Sequence, residues 1–254
     1  MATSSGRSAA APLSAYVLHS YDWSETSLIV ELFTRERGRV VVAAKGAKRP
    51  TSQLRAVLLP FQRIAVQLGR TPADEAAEIL TLRGAEWGGG VPVVAPAALF
   101  SAFYLNELLL KGLARQDPHA RLFDAYAEAL AAIGGDEGPA LRAFEITLLR
   151  ELGYLPELAL ETTTQHALDP ARAYTLQADA GLVVDRNGIA GAAWLALARA
   201  LDDGAALRAA CAPVAAALRA PLRQALHYHL AFSTLRTRQV MQDLNRLAEA
   251  MPSR

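Results

Sequence analysis

Basic side chains are concentrated in one stretch of the sequence, between residues 35 and 70. This stretch holds nine lysines and arginines against one acid, Glu36, which gives it a charge of +8 in 36 residues. The nine are Arg35, Arg37, Arg39, Lys45, Lys48, Arg49, Arg55, Arg63 and Arg70. Segregated charge creates a local field that attracts polyanions, of which nucleic acid is the simplest. The alternative is an ordinary solvated surface without a special role.

The chain as a whole hides this excess, because 26 basic and 25 acidic residues leave a net charge of only +1. Residues 1–86 carry +3, residues 87–207 carry −7 and residues 208–254 carry +5. The second basic segment contains Arg219, Arg223, Arg236, Arg238 and Arg246. These arginines either extend a nucleic-acid path, receive an acidic peptide, or merely cover the ends of surface helices.

Side chains that would support catalysis are sparse. The run Gly46-Ala47-Lys48-Arg49 lacks both the spacing of a phosphate-binding loop and the Ser or Thr that follows its lysine. His227 and His229 point to nearly opposite sides of a predicted helix, so they cannot easily share a metal. The single cysteine, Cys211, excludes an internal disulfide and lies among alanines, a setting that raises the pKa of a thiol and makes it inert. An enzyme is therefore the least favoured class.

Aromatic side chains accompany the basic stretch. Tyr21 and Trp23 lie in a predicted loop, and Phe33 is two residues from Arg35. An exposed ring beside a cation can stack on a nucleic-acid base, a contact worth roughly 1–3 kcal/mol per base. We therefore predict Tyr21, Trp23 and Phe33 as base-stacking candidates, although a ring in a small barrel most often belongs to the core.

Short strands with alternating apolar residues dominate the first 86 residues. They are predicted near residues 15–19, 28–32, 40–42, 64–68 and 77–82. Five short strands indicate a small barrel or sandwich, of which the oligonucleotide-binding (OB) barrel is a common type. The run Gly88-Gly89-Gly90 followed by Pro92 predicts a linker.

Helical periodicity takes over after this linker. Helices are predicted from residue 99 to before Asp117 and over 120–133, 139–152, 192–218 (with a break near Gly204), 221–232 and 236–250. Residues 174–184 interrupt them and predict a β-hairpin. No uninterrupted apolar run reaches the roughly 18 residues of a membrane helix, so we expect no membrane partner.

The predicted fold class is α+β, with an N-terminal five-stranded OB-fold barrel followed by a mainly α-helical domain that carries a small β-hairpin. The predicted domains are a disordered leader over 1–12, a DNA-binding OB-fold domain over 13–86 and a helical C-terminal domain over 87–254. The alternatives in function are an RNA-binding module and a helical scaffold whose basic barrel is incidental.

Short motifs spread along the chain resemble, in order and spacing, the RecO family of recombination mediators. In the predicted barrel they are Tyr16-Val17-Leu18-His19-Ser20, Trp23-Ser24-Glu25-Thr26-Ser27-Leu28, Phe33-Thr34, Gly38-Arg39, Ala44-Lys45-Gly46-Ala47 and Leu59-Pro60-Phe61. In the helical region they are Tyr104-Leu105-Asn106-Glu107-Leu108, Arg142-Ala143-Phe144-Glu145, Leu152-Gly153-Tyr154 and Leu235-Arg236-Thr237-Arg238. The resemblance covers nearly the whole chain.

This resemblance implies a cytoplasmic, nucleoid-associated mediator of DNA repair and recombination that is not an enzyme and needs no cofactor. Members of the family bind single- and double-stranded DNA and anneal complementary strands. With RecR they help to load RecA recombinase onto strands coated by single-strand-binding protein, whose acidic C-terminal tail they contact. Many members hold zinc through four cysteines that begin just after the Leu-Gly-Tyr segment. Residues 158–164 contain no cysteine here, so the chain resembles zinc-free members and its hairpin is expected to be held by packing alone.

We predict that one continuous cationic surface of the barrel contacts phosphates. Its residues are Arg35, Arg37, Arg39, Lys45, Lys48, Arg49 and Arg55. An acidic peptide or DNA is expected to contact the helical domain at Arg219, Arg223, Arg236 and Arg238.

Overall fold

The computed structural model describes residues 11–69, 79–90, 94–231, 235–237, 239–240, 243 and 246. The chain divides into two compact units, one formed by residues 1–91 with 114–118 and the other by residues 92–113 with 119–254. The predicted leader lies outside the described residues except for its last two positions, as do Arg70, Arg238 and much of the predicted helix over 236–250. The predicted α+β class is confirmed.

The first unit is a closed barrel of five strands in the order β1-β2-β3-β5-β4. The strands are β1 (Leu13–Asp22), β2 (Leu28–Thr34), β3 (Gly38–Ala44), β4 (Arg63–Leu68) and β5 (Ile79–Trp87), with the short helix α1 (Leu54–Val57) between β3 and β4. β3 and β5 run parallel, and every other neighbouring pair is antiparallel. The predicted OB-like barrel is therefore confirmed.

Alternation along the strands fills the barrel with branched side chains. Val30 and Leu32 of β2 and Val40 and Val42 of β3 are buried in one cluster with residues of the other three strands. The intervening positions of β2 and β3 face outwards, yet Phe33 and Val41 are also buried there. Part of the outer surface of this hairpin is therefore covered.

One part of the cover is the segment 114–118, which follows the first long helix in the sequence but belongs to the barrel unit. The backbone N–H of Gln116 donates to the Arg39 carbonyl oxygen at 2.8 Å. The guanidinium of Arg115 lies 3.6 Å from a carboxylate oxygen of Glu31, which faces outwards from β2 and is buried. A backbone hydrogen bond and an ion pair thus hold the segment against the hairpin.

Gly38 makes the close approach of this segment possible. Its φ is +64°, in the left-handed region that favours glycine. A Cβ at this position would lie only 1.8 Å from the carbonyl oxygen of Asp117. A side chain would therefore both strain the β2–β3 turn and displace the segment.

Among the described residues, the second unit contains six named α-helices, two short 3-10 helices (Pro96–Ala98 and Ala212–Val214) and a small three-stranded sheet, and the residues described between 236 and 246 are also helical. The helices are α2 (Leu99–Gly112), α3 (Ala120–Ala132), α4 (Glu137–Glu151), α5 (Gly191–Ala200), α6 (Gly204–Cys211) and α7 (Ala215–His229). The sheet contains β6 (Ala173–Gln177), β7 (Gly181–Val184) and β8 (Ile189–Ala190) in the order β7-β6-β8. The predicted hairpin is confirmed as β6 and β7, whereas β8 was not predicted.

The predicted start of a helix at Pro221 is wrong, because α7 runs through this residue. Leu218 and Leu222 are fully buried on either side of the proline and lie one helical turn apart. Their burial keeps the segment helical despite the backbone N–H that proline lacks.

By length and composition alone, the helical run Gly204–His229 is long and apolar enough to span a membrane. One such helix is weak evidence for a membrane span; 22% of its apolar window is buried, and α6 and α7 both pack against α4.

The expectation that packing alone holds the hairpin is also wrong. The N–H of Thr162 donates to the Leu182 carbonyl oxygen at 2.8 Å, and the N–H of Leu182 donates to Thr162 Oγ1 at 2.8 Å. The indole N–H of Trp194 donates to the Tyr174 carbonyl oxygen at 3.1 Å. Hydrogen bonds thus attach β7 to Thr162, which lies in the cysteine-free stretch 158–164.

Candidate nucleic-acid interface

The structure separates the predicted barrel cations into two groups. Arg35 and Arg37 lie in the turn between β2 and β3, whereas Lys45, Lys48 and Arg49 follow the other end of β3. An extended strand of this length places the two groups roughly 20 Å apart. The length of β3 therefore separates the two groups along the hairpin.

The second group shares its end of the barrel with the β1–β2 loop (residues 23–27). Asp22 pairs with Leu28 across β1 and β2, and Leu28 pairs with Ala44 across β2 and β3. The β1–β2 loop and the β3–α1 loop (residues 45–53) must therefore lie side by side. We call these two loops, together with Tyr21 and Asp22, the loop end of the barrel.

Two cations of the loop end are available to a ligand. Lys45 and Arg49 are exposed, and their side chains make no hydrogen bond or ion pair with the part of the chain that the structure describes. Arg55 of α1 is likewise exposed and free of such a partner among the described residues. Two acids, Asp22 and Glu25, are also exposed at this end, so the positive field there is moderated.

Lys48 differs from these cations because its side chain is already engaged. Its Nζ lies 3.1 Å from Oδ1 of Asp22 and donates to the Ser24 carbonyl oxygen at 3.2 Å. The side chain is 32% exposed. The structure therefore places this lysine between the two loops.

Two of the three predicted stacking rings are exposed at the loop end. Tyr21 is 50% exposed and Trp23 is 66% exposed. The imidazole of His19 contacts Tyr21 edge to face, with ring centroids 4.4 Å apart. The prediction for Phe33 is wrong, because its side chain is fully buried at the opposite end of β2, where it pairs with Arg39.

Arg83 is a further exposed cation that was not predicted. Val41 pairs with Ile79 and Ala43 with Thr81 along the parallel strands β3 and β5. Arg83 lies on β5 two residues after Thr81, the last residue of β5 that pairs with β3. The predicted strand ended at residue 82, which is one residue too early to include Arg83. Leu80 and Leu82 are buried, so the alternation of a strand continued by one residue would have predicted that residue 83 faces solvent.

The cations at the other end of β3 are less open. Arg35 is exposed, whereas Arg37 and Arg39 are half-buried. The backbone of Arg39 accepts the hydrogen bond from Gln116 described above. Arg39 therefore lies beside the covered part of the hairpin, and the geometry favours the loop end as the candidate site.

The predicted arginines of the helical unit lie partly outside the described residues. Arg219 and Arg223 are one turn apart on α7, the first exposed and the second half-buried, and Arg238 is outside the described residues. The N–H of Arg236 donates to the Glu107 carboxylate at 2.7 Å. This hydrogen bond attaches residues 235–237, which we call the C-terminal segment, to α2.

A buried ionisable cluster lies in the same unit. The Glu145 carboxylate accepts hydrogen bonds from Arg142 Nη2 and from the Tyr104 hydroxyl, both at 2.7 Å. Burial raises the pKa of Glu145 to about 7, although the positive charges of Arg142, Arg219 and Arg223 act to lower it. The arginines of α7 thus act electrostatically on a carboxyl group that is buried in the core.

Neither a reactive thiol nor a metal centre is present in the described part of the chain. Cys211 is buried, and burial raises the pKa of its thiol to about 12, as its apolar surroundings predicted. No group of three or more His, Cys, Asp or Glu side chains within the described ranges is arranged to hold a metal ion.

Comparison with known proteins identifies the family. Residues 12–87 match the family described as Recombination protein O N terminal, and residues 95–239 match Recombination protein O C terminal. DNA repair protein RecO of Verminephrobacter eiseniae is 49% identical over 244 residues, covering 92% of this chain and 96% of that protein. RecO of Albidiferax ferrireducens is 48% identical over 245 residues with the same coverage. The chain therefore belongs to the RecO family of DNA repair proteins.

Proposed function

We propose that the protein is a non-enzymatic recombination mediator that binds single- and double-stranded DNA through the loop end of its barrel. The observation that carries this proposal is that strand pairing brings two loops to one end of the barrel. One loop carries Lys45 and Arg49, exposed and without described partners, and the other carries Trp23 beside the exposed ring of Tyr21. Free cations neutralise phosphates, and exposed rings stack on bases. Arg55 and Arg83, which are exposed, are candidates to extend the phosphate contacts.

Annealing follows from binding without any chemical step. Two complementary strands repel each other through their phosphates, and cations that neutralise both strands lower the cost of bringing them together. Family membership supports the further steps: action with RecR and loading of RecA recombinase onto strands coated by single-strand-binding protein. Arg219 and Arg223 are candidates to receive the acidic tail of that coating protein. A mediator of this kind would act at the nucleoid.

The test is the salt dependence of single-strand affinity. If about five phosphates are neutralised, affinity falls by roughly a hundredfold between 50 and 200 mM salt. The double variant Lys45→Ala/Arg49→Ala should weaken binding almost equally for all sequences and reduce the slope of log affinity against log salt by about 1.4. The matched control is Arg35→Ala/Arg37→Ala, which removes the same charge at the other end of β3 and should leave the slope nearly unchanged.

Strand annealing by the protein alone, with the same two variants, extends the test to function. Loss of annealing in the Lys45/Arg49 variant but not in the control supports the proposal. An affinity that does not depend on salt would refute the phosphate-contact mechanism. Absence of binding at low salt would favour a scaffold, and a marked preference for RNA over DNA of the same sequence would favour an RNA-binding module.

A further inference from the structure

Lys48 and Asp22 join the two loops of the loop end, and their geometry differs from that of a phosphate-binding residue. Lys48 contacts the β1–β2 loop region at three points, through Nζ to Asp22, through Nζ to the Ser24 carbonyl oxygen, and through its backbone N–H to the Thr26 carbonyl oxygen at 3.0 Å. These contacts lie on both sides of Trp23 in the chain. They fix the loop that carries the most exposed ring of the barrel.

The pairing of Asp22 with Leu28 holds the two ends of the loop, and among the described residues its interior has few other contacts. Within it, the N–H groups of Trp23 and Ser24 donate to the Ser27 carbonyl oxygen at 3.2 and 3.4 Å, which closes a turn but does not attach the turn to a neighbouring element. Attachment comes from Lys48. An exposed ion pair alone stabilises little, but the hydrogen bonds to two carbonyl groups make the attachment specific in geometry.

We propose that Lys48 is a positioning residue that, with Asp22, holds the β1–β2 loop so that Trp23 can stack on a base, and that it makes no phosphate contact of its own. This inference rests on the function proposed above and assigns the loop end two kinds of lysine. Lys45 is exposed and supplies charge, whereas Lys48, three residues later, orients a ring. The ligand is a single strand with unpaired bases, because a paired base does not offer its face to a ring on a loop.

The two lysines provide a matched pair for the test, because Lys45→Gln and Lys48→Gln remove the same charge from the same loop. The probe is an oligothymidylate, and the background is Trp87→Phe. That background removes the other exposed tryptophan and leaves Trp23 and the fully buried Trp194. Two quantities are measured: the slope of log affinity against log salt, and the quenching of Trp23 fluorescence on binding. Far-UV circular dichroism checks that each variant is folded.

Lys45→Gln should reduce the slope by about 0.7 and leave the quenching intact. Lys48→Gln removes both contacts of Nζ but keeps the backbone bond to Thr26, so it should leave the slope unchanged, markedly reduce the quenching and weaken binding by about fivefold. Asp22→Asn removes only the ion pair and keeps the bond from Nζ to the Ser24 carbonyl oxygen, so it should reduce the quenching less than Lys48→Gln. It should still weaken binding, although removing a negative charge would by electrostatics alone tighten it. The double variant Asp22→Asn/Lys48→Gln should be no worse than Lys48→Gln alone, because Lys48→Gln already removes the ion pair with Asp22.

Two results would overturn the inference. One is a slope for Lys48→Gln that falls as it does for Lys45→Gln while quenching persists. The other is tighter binding by Asp22→Asn, which would make Lys48 a phosphate contact that Asp22 restrains. If Lys45→Gln still reduces the slope as expected, either result contradicts the role of Lys48 but not the proposed DNA-binding function. Salt-independent binding by the unmodified chain, or no effect of Lys45→Gln on the slope, would instead count against the function itself.

Discussion

Replacement of Gly38 by alanine should destabilise the barrel unit through two separate effects. A φ of +64° costs an alanine about 1–2 kcal/mol relative to glycine. The new Cβ would also meet the Asp117 carbonyl oxygen at 1.8 Å, so the segment 114–118 must move away. Movement breaks the hydrogen bond from Gln116 to Arg39, which contributes about 1 kcal/mol. We expect a loss of about 3 kcal/mol in the free energy of unfolding.

Gly46→Ala is the matched control, because Gly46 also has a positive φ, of +75°, but its Cβ would meet only the Arg49 side chain at 3.6 Å. This variant should show the backbone cost alone, about 1–2 kcal/mol. Urea-induced unfolding measures both losses, and hydrogen exchange at the Gln116 amide should accelerate only in Gly38→Ala. Equal losses with an unchanged Gln116 amide would refute the role given to the segment.

Two further predictions concern the helical unit. Burial raises the pKa of Glu145 to about 7, above its value in the unfolded chain. The native state therefore binds a proton at this carboxyl group more tightly than the unfolded chain does. The free energy of unfolding should decline as pH rises from about 4.5 to 7 and then level off. Urea unfolding at several pH values should show this decline in the unmodified chain but not in Glu145→Gln. The amide oxygen of the variant can still accept the hydrogen bonds from Arg142 and Tyr104. An identical pH profile for the two proteins would contradict the role given to Glu145. At Glu107, partial burial acts to raise the pKa, but hydrogen bonds from Thr237 and Arg236 outweigh it and keep the pKa below its usual value. Attachment of the C-terminal segment should therefore weaken as pH falls through that lowered pKa, and Glu107→Ala should reduce the exchange protection of the Arg236 and Thr237 amides at neutral pH; unchanged protection would show that the segment is held elsewhere.

Local sequence patterns predicted the barrel strands well because each strand has one face in the core. The alternation around Val30 and Leu32 and around Ile64 and Val66 is the direct imprint of a pleated, half-buried strand. The helix boundary at Pro221 failed for the opposite reason. A local rule about proline competed with burial of Leu218 and Leu222, and burial, which depends on distant residues, decided the conformation.

The candidate site was predicted in composition but not in arrangement. The sequence shows that Arg37 and Lys45 are close in number, but only strand pairing shows that β3 separates them. The burial of Phe33 and the engagement of Lys48 by Asp22 likewise depend on tertiary contacts. Exposure and partners therefore had to come from the structure, whereas the types of residue needed for phosphate and base contacts were visible in the sequence.

The return of residues 114–118 to the barrel has a practical consequence for dissecting this protein. The polypeptide crosses between its two units three times, near residues 91, 113 and 118, so no single cleavage separates them. A truncated fragment ending at residue 91 would leave the Arg39 carbonyl and the buried Glu31 without the groups that satisfy them in the full chain. An engineered stand-alone barrel would need those five residues restored, for example by circular permutation or as an added peptide.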